Sequence, residues 1–425
     1  RVLFRSRVQS DASTSDVVDH LQSDVVTRAD TNGSVVLRTA GGNLVLNDGN
    51  AGADGIAVKA DGAGDIRIEA IGDETSVMLN ADVVTGSGHI SVAAAKDIVA
   101  AADVGILTAG MGTIDLWTAS GAIDLSVTSD QTSENGDVRF EAATNISLGG
   151  VITTNSTVSL IAETGWIRDA DTDESVDIQA NALRVNANAG IGQLSEYVDP
   201  IETSIATVSV RAGSEGINLL ETDALVIDDV SATIKRVAVD ATTNSVVDAT
   251  QSDVRTLVGS SGAIVLRTLA GDITLNDGGA DADDQAVVSD GAGNLRVEAV
   301  GDGTSVKVES GISAGIGNVT LLAALNITVG ADATIASTEA GSVDIEATAG
   351  VADVIVGGMV RTADGDIRVQ AGVNVLLGGQ LRSGDSVSIV ADTGRILDGD
   401  DDGTVDVIAA GLRLNAAVGI GQLGL

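Results

Sequence analysis

The chain has 425 residues, 52 of them glycine, and a formal net charge of −38. Five residues are aromatic, one is proline (Pro200) and none is cysteine. So acidic a chain will not wrap nucleic acid and should avoid anionic membrane surfaces. The lack of cysteine excludes disulfides, thiolate metal sites and cysteine nucleophiles.

Residues 1–6 read as a sequencing-adaptor artefact, because Arg-Val-Leu-Phe-Arg-Ser breaks the alternating texture that follows. A missing signal peptide then carries no information about location. After this start the chain is a succession of short strands. Gly64-Asp-Ile-Arg-Ile, Gly88-His-Ile-Ser-Val, Gly112-Thr-Ile-Asp-Leu and Gly136-Asp-Val-Arg-Phe follow one another 24 residues apart. Thr157-Val-Ser-Leu comes 20 residues after its predecessor. Each motif alternates apolar and other residues, which predicts a strand with one buried face. The residues two and four after each glycine, Ile66 and Ile68 through Val138 and Phe140, are the predicted core. Second strands such as Ala122-Ile-Asp-Leu lie between them, joined by Gly, Asn, Asp and Ser turns. No apolar run approaches the roughly 18 residues of a membrane span.

The pattern then starts again. GSVVLRT at Gly33 recurs as GAIVLRT at Gly262, LNDG at Leu46 recurs at Leu275, and GIGQL at Gly190 recurs at Gly419, each 229 residues on. The chain thus divides into a first unit over 7–235 and an incomplete second unit over 236–425. An all-strand period of 20–24 residues predicts a parallel β-solenoid, one continuous stack in which each rung turns once around the axis. About 19 rungs at roughly 4.8 Å each would give a rod about 90 Å long. A string of immunoglobulin-like sandwiches is the competing architecture. It fits poorly, since such domains carry a Trp or Tyr core marker.

Two related stretches, TVSLIAETGWIRDADTDESVDIQANALRVNANAGIGQL and SVSIVADTGRILDGDDDGTVDVIAAGLRLNAAVGIGQL, carry a resemblance. Their texture resembles large repetitive bacterial surface proteins of the filamentous-haemagglutinin-like adhesin type. The resemblance implies an all-β fold, a right-handed parallel β-helix. It also implies an extracellular or cell-surface location, in a Gram-negative bacterium, and a non-catalytic stalk with an adhesive role. Its partners would be cell-surface or matrix glycans or proteins and neighbouring repeats, with no nucleic acid and no membrane insertion.

The sharpest local motif is acidic. Asp169, Asp171, Asp173 and Asp177 in the first unit match Asp398, Asp400, Asp402 and Asp406 in the second. Alternate carboxylates in a turn suit Ca²⁺, which takes 6–8 oxygen ligands. The twelfth position, Ala180 or Ala409, lacks the glutamate of an EF-hand. The plain alternative is a solvated acidic turn. A second acidic loop, from Asp277 to Asp284, looks weaker because its counterpart reads NDGNAGADG. No catalytic residue is expected, because no set with named roles assembles. Trp117, Trp166 and Tyr197 form no aromatic stripe for sugars. His20 and His89 are too far apart in sequence to form a cluster. A polysaccharide-binding matrix rod and, further off, a polysaccharide lyase are the alternative functions.

Overall fold

The computed structural model describes residues 4–18, 23–49, 54–171, 174–194, 198–400 and 403–421. Two antiparallel hairpins and one isolated bridge, Gln193 to Asp199, aside, the strand pairings among these residues are parallel. The architecture is an all-β parallel solenoid.

A rung of the first unit contains one long strand and two short ones, for example Ile66–Ala70, Val77–Leu79 and Asp82–Thr85. The long strands stack into a first sheet and the short ones into a second. Ile66, Ile90, Ile114 and Val138 are direct register partners in successive rungs. The 24-residue spacing is therefore one turn of the coil. The eight predicted inward residues, from Ile66 to Phe140, are all buried. Period-two alternation puts them on one face, and the column they form is part of one continuous core cluster. The motif glycines stack as well. A Cβ added to Gly88 would run into the carbonyl oxygen of Gly64, and one added to Gly136 into that of Gly112. Glycine recurs there because consecutive turns pass too close for a side chain.

One ladder runs through sixteen strands, from Val25–Val26 to Gly411–Ala416. That makes a rod about 70 Å long, shorter than the 19-rung expectation. Two features account for the difference. The first rung step of each unit takes 31 residues rather than 24, as Val35 pairs with Ile66 and Ile264 with Leu295. In addition, Val230–Val237 and Thr243–Gln251 leave the stack altogether as an antiparallel hairpin.

The units meet with an exchange of sheets. The long strand Thr207–Ala212 closes the first sheet of unit one, yet the strands that continue it are two short ones, Leu225–Ile227 and Val254–Thr256. On the opposite sheet, Gly216–Glu221 spans two short ladders at once. It is then continued by the long strand Ile264–Thr268. Long strands therefore occupy one sheet in unit one and the other sheet in unit two, with no break in the core.

The hairpin emerges at this junction and folds back across the first unit. Its leading strand crosses one rung for every two residues. Thr233 N–H donates to Asp137, Lys235 N–H to the Thr113 hydroxyl and Val237 N–H to the Ser91 hydroxyl. Its own Ala232, Ile234 and Val237 are buried. The outward residues of the first-unit long strands are consequently buried: all five residues of Ile66–Ala70 are buried, whereas Arg296 and Glu298, the outward residues of the counterpart Leu295–Ala299, are partly exposed.

This corrects one expectation drawn from the alternation. Asp115 and Arg139 do face each other across adjacent rungs, as do Asp344 and Arg368. Period-two alternation, with these residues at the position three after each motif glycine, predicts an open outer face for both pairs. In unit two that holds, with side-chain exposures of 39% and 38% at a separation of 2.7 Å. In unit one the exposures are 2% and 6%, because the hairpin lies on top. Asp248 of the hairpin takes Arg139 Nε at 2.9 Å, and Arg236 reaches Asp115 at 2.6 Å. Burial alone would lower the Arg139 pKa. The charges of Asp248, Glu141 and Asp115 outweigh it and raise the pKa.

Candidate cation sites

The first-unit acidic turn lies at the end of the short strand Ile167–Asp169, and its far side enters Ile178–Gln179. Asp177 precedes Ile178, the register partner of Thr203 in the next rung. Stacking thus sets Asp177 beside Glu202, and the two exchange hydrogen bonds. Asp177 N–H donates to the Glu202 carbonyl, and Glu202 N–H to Asp177 Oδ2 at 3.0 Å. Oxygens of Asp169, Asp177 and Glu202 lie within 4.8 Å of one another. Both Asp177 and Glu202 are buried, and Glu202 Oε2 has no hydrogen-bond partner.

Three carboxylates so close cannot all stay ionised without a cation or retained protons. Burial, followed by the charge of Asp169, pushes the Asp177 carboxyl up to about 9. The same two causes push Glu202 up to about 7.

The structure therefore brings two of the four predicted residues, Asp169 and Asp177, to one point and adds Glu202. Asp171 serves the turn instead, its N–H donating to Asp169 Oδ1 at 3.0 Å. Its charge also raises the carboxyl of Asp199, after burial. In unit two Asp400 N–H makes the same bond to Asp398. Among the described residues Asp398, Asp400 and Asp406 form no group of three. Asp173 and Asp402 lie outside the described residues. Glu202 was overlooked in the sequence, although it stands 25 residues after Asp177, one rung on. Its counterpart would be residue 202 + 229 = 431, past the 425 residues of the chain.

Two further triads, Asp24–Asp48–Asp54 and Asp253–Asp277–Asp283, are counterparts at the 229-residue offset. Long-range stacking assembles each, joining Asp24 or Asp253 to the acidic loop that follows one rung later. The Asp277 loop, rated weaker from sequence, is therefore half of a repeated arrangement. Gly55 N–H donates to Asp48 Oδ2, and Asp284 N–H to Asp277 Oδ2, at equivalent positions. The remaining oxygens, Asp48 Oδ1 and Asp277 Oδ1, are both buried without a partner. The second-unit triad has a built-in cation: Arg255 reaches Asp253 at 2.9 Å and Asp283 at 2.6 Å. Burial still raises Asp253, to about 6, against the opposing pull of Arg255. At the position of Arg255 the first unit has Val26 (255 − 229 = 26), which carries no charge.

The remaining chemistry is dispersed. Trp117 lies in the long-strand sheet and Trp166 beside the short-strand sheet of the same unit, each with an arginine over its ring. Tyr197 and His20 lie outside the described residues. His89 is half-buried, with Nδ1 3.1 Å from the Thr113 hydroxyl, and burial lowers its pKa. No helix among the described residues is long and apolar enough to cross a membrane. Comparison with protein-family models, curated proteins and solved structures gave no match.

Proposed function

We propose that the chain is a non-catalytic stalk segment of an extracellular or cell-surface bacterial repeat protein with an adhesive role. Its partners in this reading are cell-surface or matrix glycans or proteins. The observation that supports it is the unbroken core across the unit junction. Adding units to such a stack adds length, with each rung stabilised by its neighbours. Ca²⁺ is the proposed ligand of Asp169, Asp177 and Glu202, and of the arginine-free triad Asp24–Asp48–Asp54. A hard cation with oxygen ligands suits all-carboxylate sets and offsets the burial and mutual repulsion that otherwise hold protons on Asp177 and Glu202. The fit is incomplete, since each set supplies three side chains and calcium needs further oxygens from backbone or water.

The test is surface display of the chain on a non-adherent bacterium, with adherence to matrix proteins and immobilised glycans measured in calcium and in chelator. Adherence above the empty display strain is expected. Adherence equal to that strain contradicts the adhesive role, and release of oligosaccharides from a polysaccharide would contradict the non-catalytic one. Melting in calcium and in chelator tests the metal separately, because a ligand of the folded state alone raises its melting temperature. Identical melts contradict calcium binding.

A further inference from the structure

Among the described residues, arginines are register partners at two places in the stack, Arg211 with Arg255 and Arg361 with Arg382. Like charges directly opposite one another on neighbouring strands are destabilising unless carboxylates offset them. At the first place they do. The acidic loop leading into Gln285–Ser289 lays alternate aspartates on the pair. Asp281 lies 2.6 Å from Arg211 and 4.0 Å from Arg255, and Asp283 lies 2.6 Å from Arg255.

The second place has the same stack with nothing on it. Arg361 and Arg382 are both exposed. Among the described residues neither side chain makes an ion pair or a hydrogen bond. The ladder continues on both sides, from Ala336 to Arg361 and from Arg382 to Ile408, so the pair stands inside the stack. With 61 acidic residues against 23 basic ones, the chain has carboxylates to spare, yet none covers it. Nor does the fold require arginine here. The counterparts at 361 − 229 = 132 and 382 − 229 = 153 are Thr132 and Thr153, which are themselves register partners. Beside the two guanidinium groups lies a cleft of about 500 Å³, lined by Ala336, Thr338, Met359 and Ala363, within the size range of ligand sites.

We propose that Arg361, Arg382 and this cleft bind an acidic segment of a partner protein. Two alternate carboxylates would sit on the pair as Asp281 and Asp283 sit on Arg211 and Arg255. A guanidinium fork is matched to a carboxylate, and two forks one rung apart, about 4.8 Å, fix the spacing at which the segment presents its charges. At −38 the chain repels anions in proportion to their charge. That disfavours a polyanion, or a second copy of this chain, more than a segment with two charges. The site stands whether or not the chain is adhesive or binds calcium.

Fluorescence anisotropy of a labelled peptide, Gly-Asp-Ala-Asp-Gly, titrated with the full chain in calcium-free buffer of low ionic strength, tests the proposal. Binding with a Kd below about 1 mM is expected. The same peptide with Asn for both Asp should bind about tenfold more weakly or worse. So should the acidic peptide to Arg361→Thr/Arg382→Thr, whose threonines already occupy these positions in the first unit. Arg395→Thr, which removes an exposed arginine from the strand Arg395–Asp398, should leave binding unchanged. Circular dichroism confirms that each variant is folded. No binding of the acidic peptide, equal binding of the two peptides, or equal binding by the chain and its double variant overturns the proposal. So does a uronate or sulfated oligosaccharide that binds through the arginine pair where the acidic peptide does not, which assigns the site to a glycan. Self-association in sedimentation that the double variant abolishes also overturns it, by assigning the site to a second copy.

Discussion

Arg139→Ala and Arg368→Ala remove the same residue from equivalent rungs, one under the hairpin and one in solvent. Arg139 bonds Asp248 at 2.9 Å, Glu141 at 2.8 Å and Asp115 at 3.5 Å, with 6% of its side chain exposed. Removing one partner of a buried ion pair costs about 3–5 kcal/mol, mostly through the charge left behind. Arg236 still faces Asp115, so the stranded charge is chiefly Asp248, and the lower end, about 3 kcal/mol, is expected. Arg368 bonds Asp344 and Glu346 at 2.7 and 2.8 Å but is 38% exposed. An exposed pair is worth about 0–1 kcal/mol. Urea unfolding followed by tryptophan fluorescence suits the comparison, since Trp117 lies beneath Arg236 at 5.7 Å and reports on the hairpin. In about 1 M salt, where screening reaches roughly 3 Å, the Arg368 effect should vanish and the Arg139 effect persist. Equal losses in the two variants, or a larger loss at Arg368, would refute the claim that the hairpin buries this network.

Other outcomes follow from the same physics. Without calcium, stability should be greatest in acid and fall as pH rises from about 4 to about 9. The folded state keeps on Asp177 a proton that the unfolded chain loses near its ordinary 3.8. Asp177→Asn should flatten that decline in a pH series of thermal melts, with little change near pH 4. Gly317→Ala drives a Cβ into the Gly293 carbonyl and should cost about 1–3 kcal/mol in urea unfolding. Gly350→Ala meets nothing within 4 Å and should be near neutral. Phe140→Ala opens a cavity in the fully buried column and should cost about 3–5 kcal/mol by the same assay.

The rung spacing, the inward residues and the facing Asp–Arg pairs were legible because they depend on local period and on stacking at a fixed offset. The hairpin was not. Its strand Ala-Thr-Ile-Lys-Arg-Val alternates like any rung strand, and period alone does not say whether a strand joins the stack or crosses it. The unit boundary at 235/236 accordingly falls inside its first strand. Glu202 was missed because motif reading looks along the chain, whereas a solenoid assembles sites between rungs. The exchange of sheets leaves no mark in the long strands: GSVVLRT and GAIVLRT read alike, though they lie on opposite sheets.

That exchange is open to a direct test, because the chain has no cysteine of its own. Leu220 and Arg267 are register partners across the junction, at a spacing of about 4.8 Å that a disulfide spans. If long strands stayed on one sheet, Ile264–Thr268 would instead stack on Thr207–Ala212 and set Arg267 beside Arg211. Oxidative cross-linking of Leu220→Cys/Arg267→Cys and of Arg211→Cys/Arg267→Cys, read by mass spectrometry, separates the two arrangements. Efficient bond formation in the first pair and none in the second is expected. Bond formation in the second pair without the first would contradict a solenoid whose two sheets trade places between repeats.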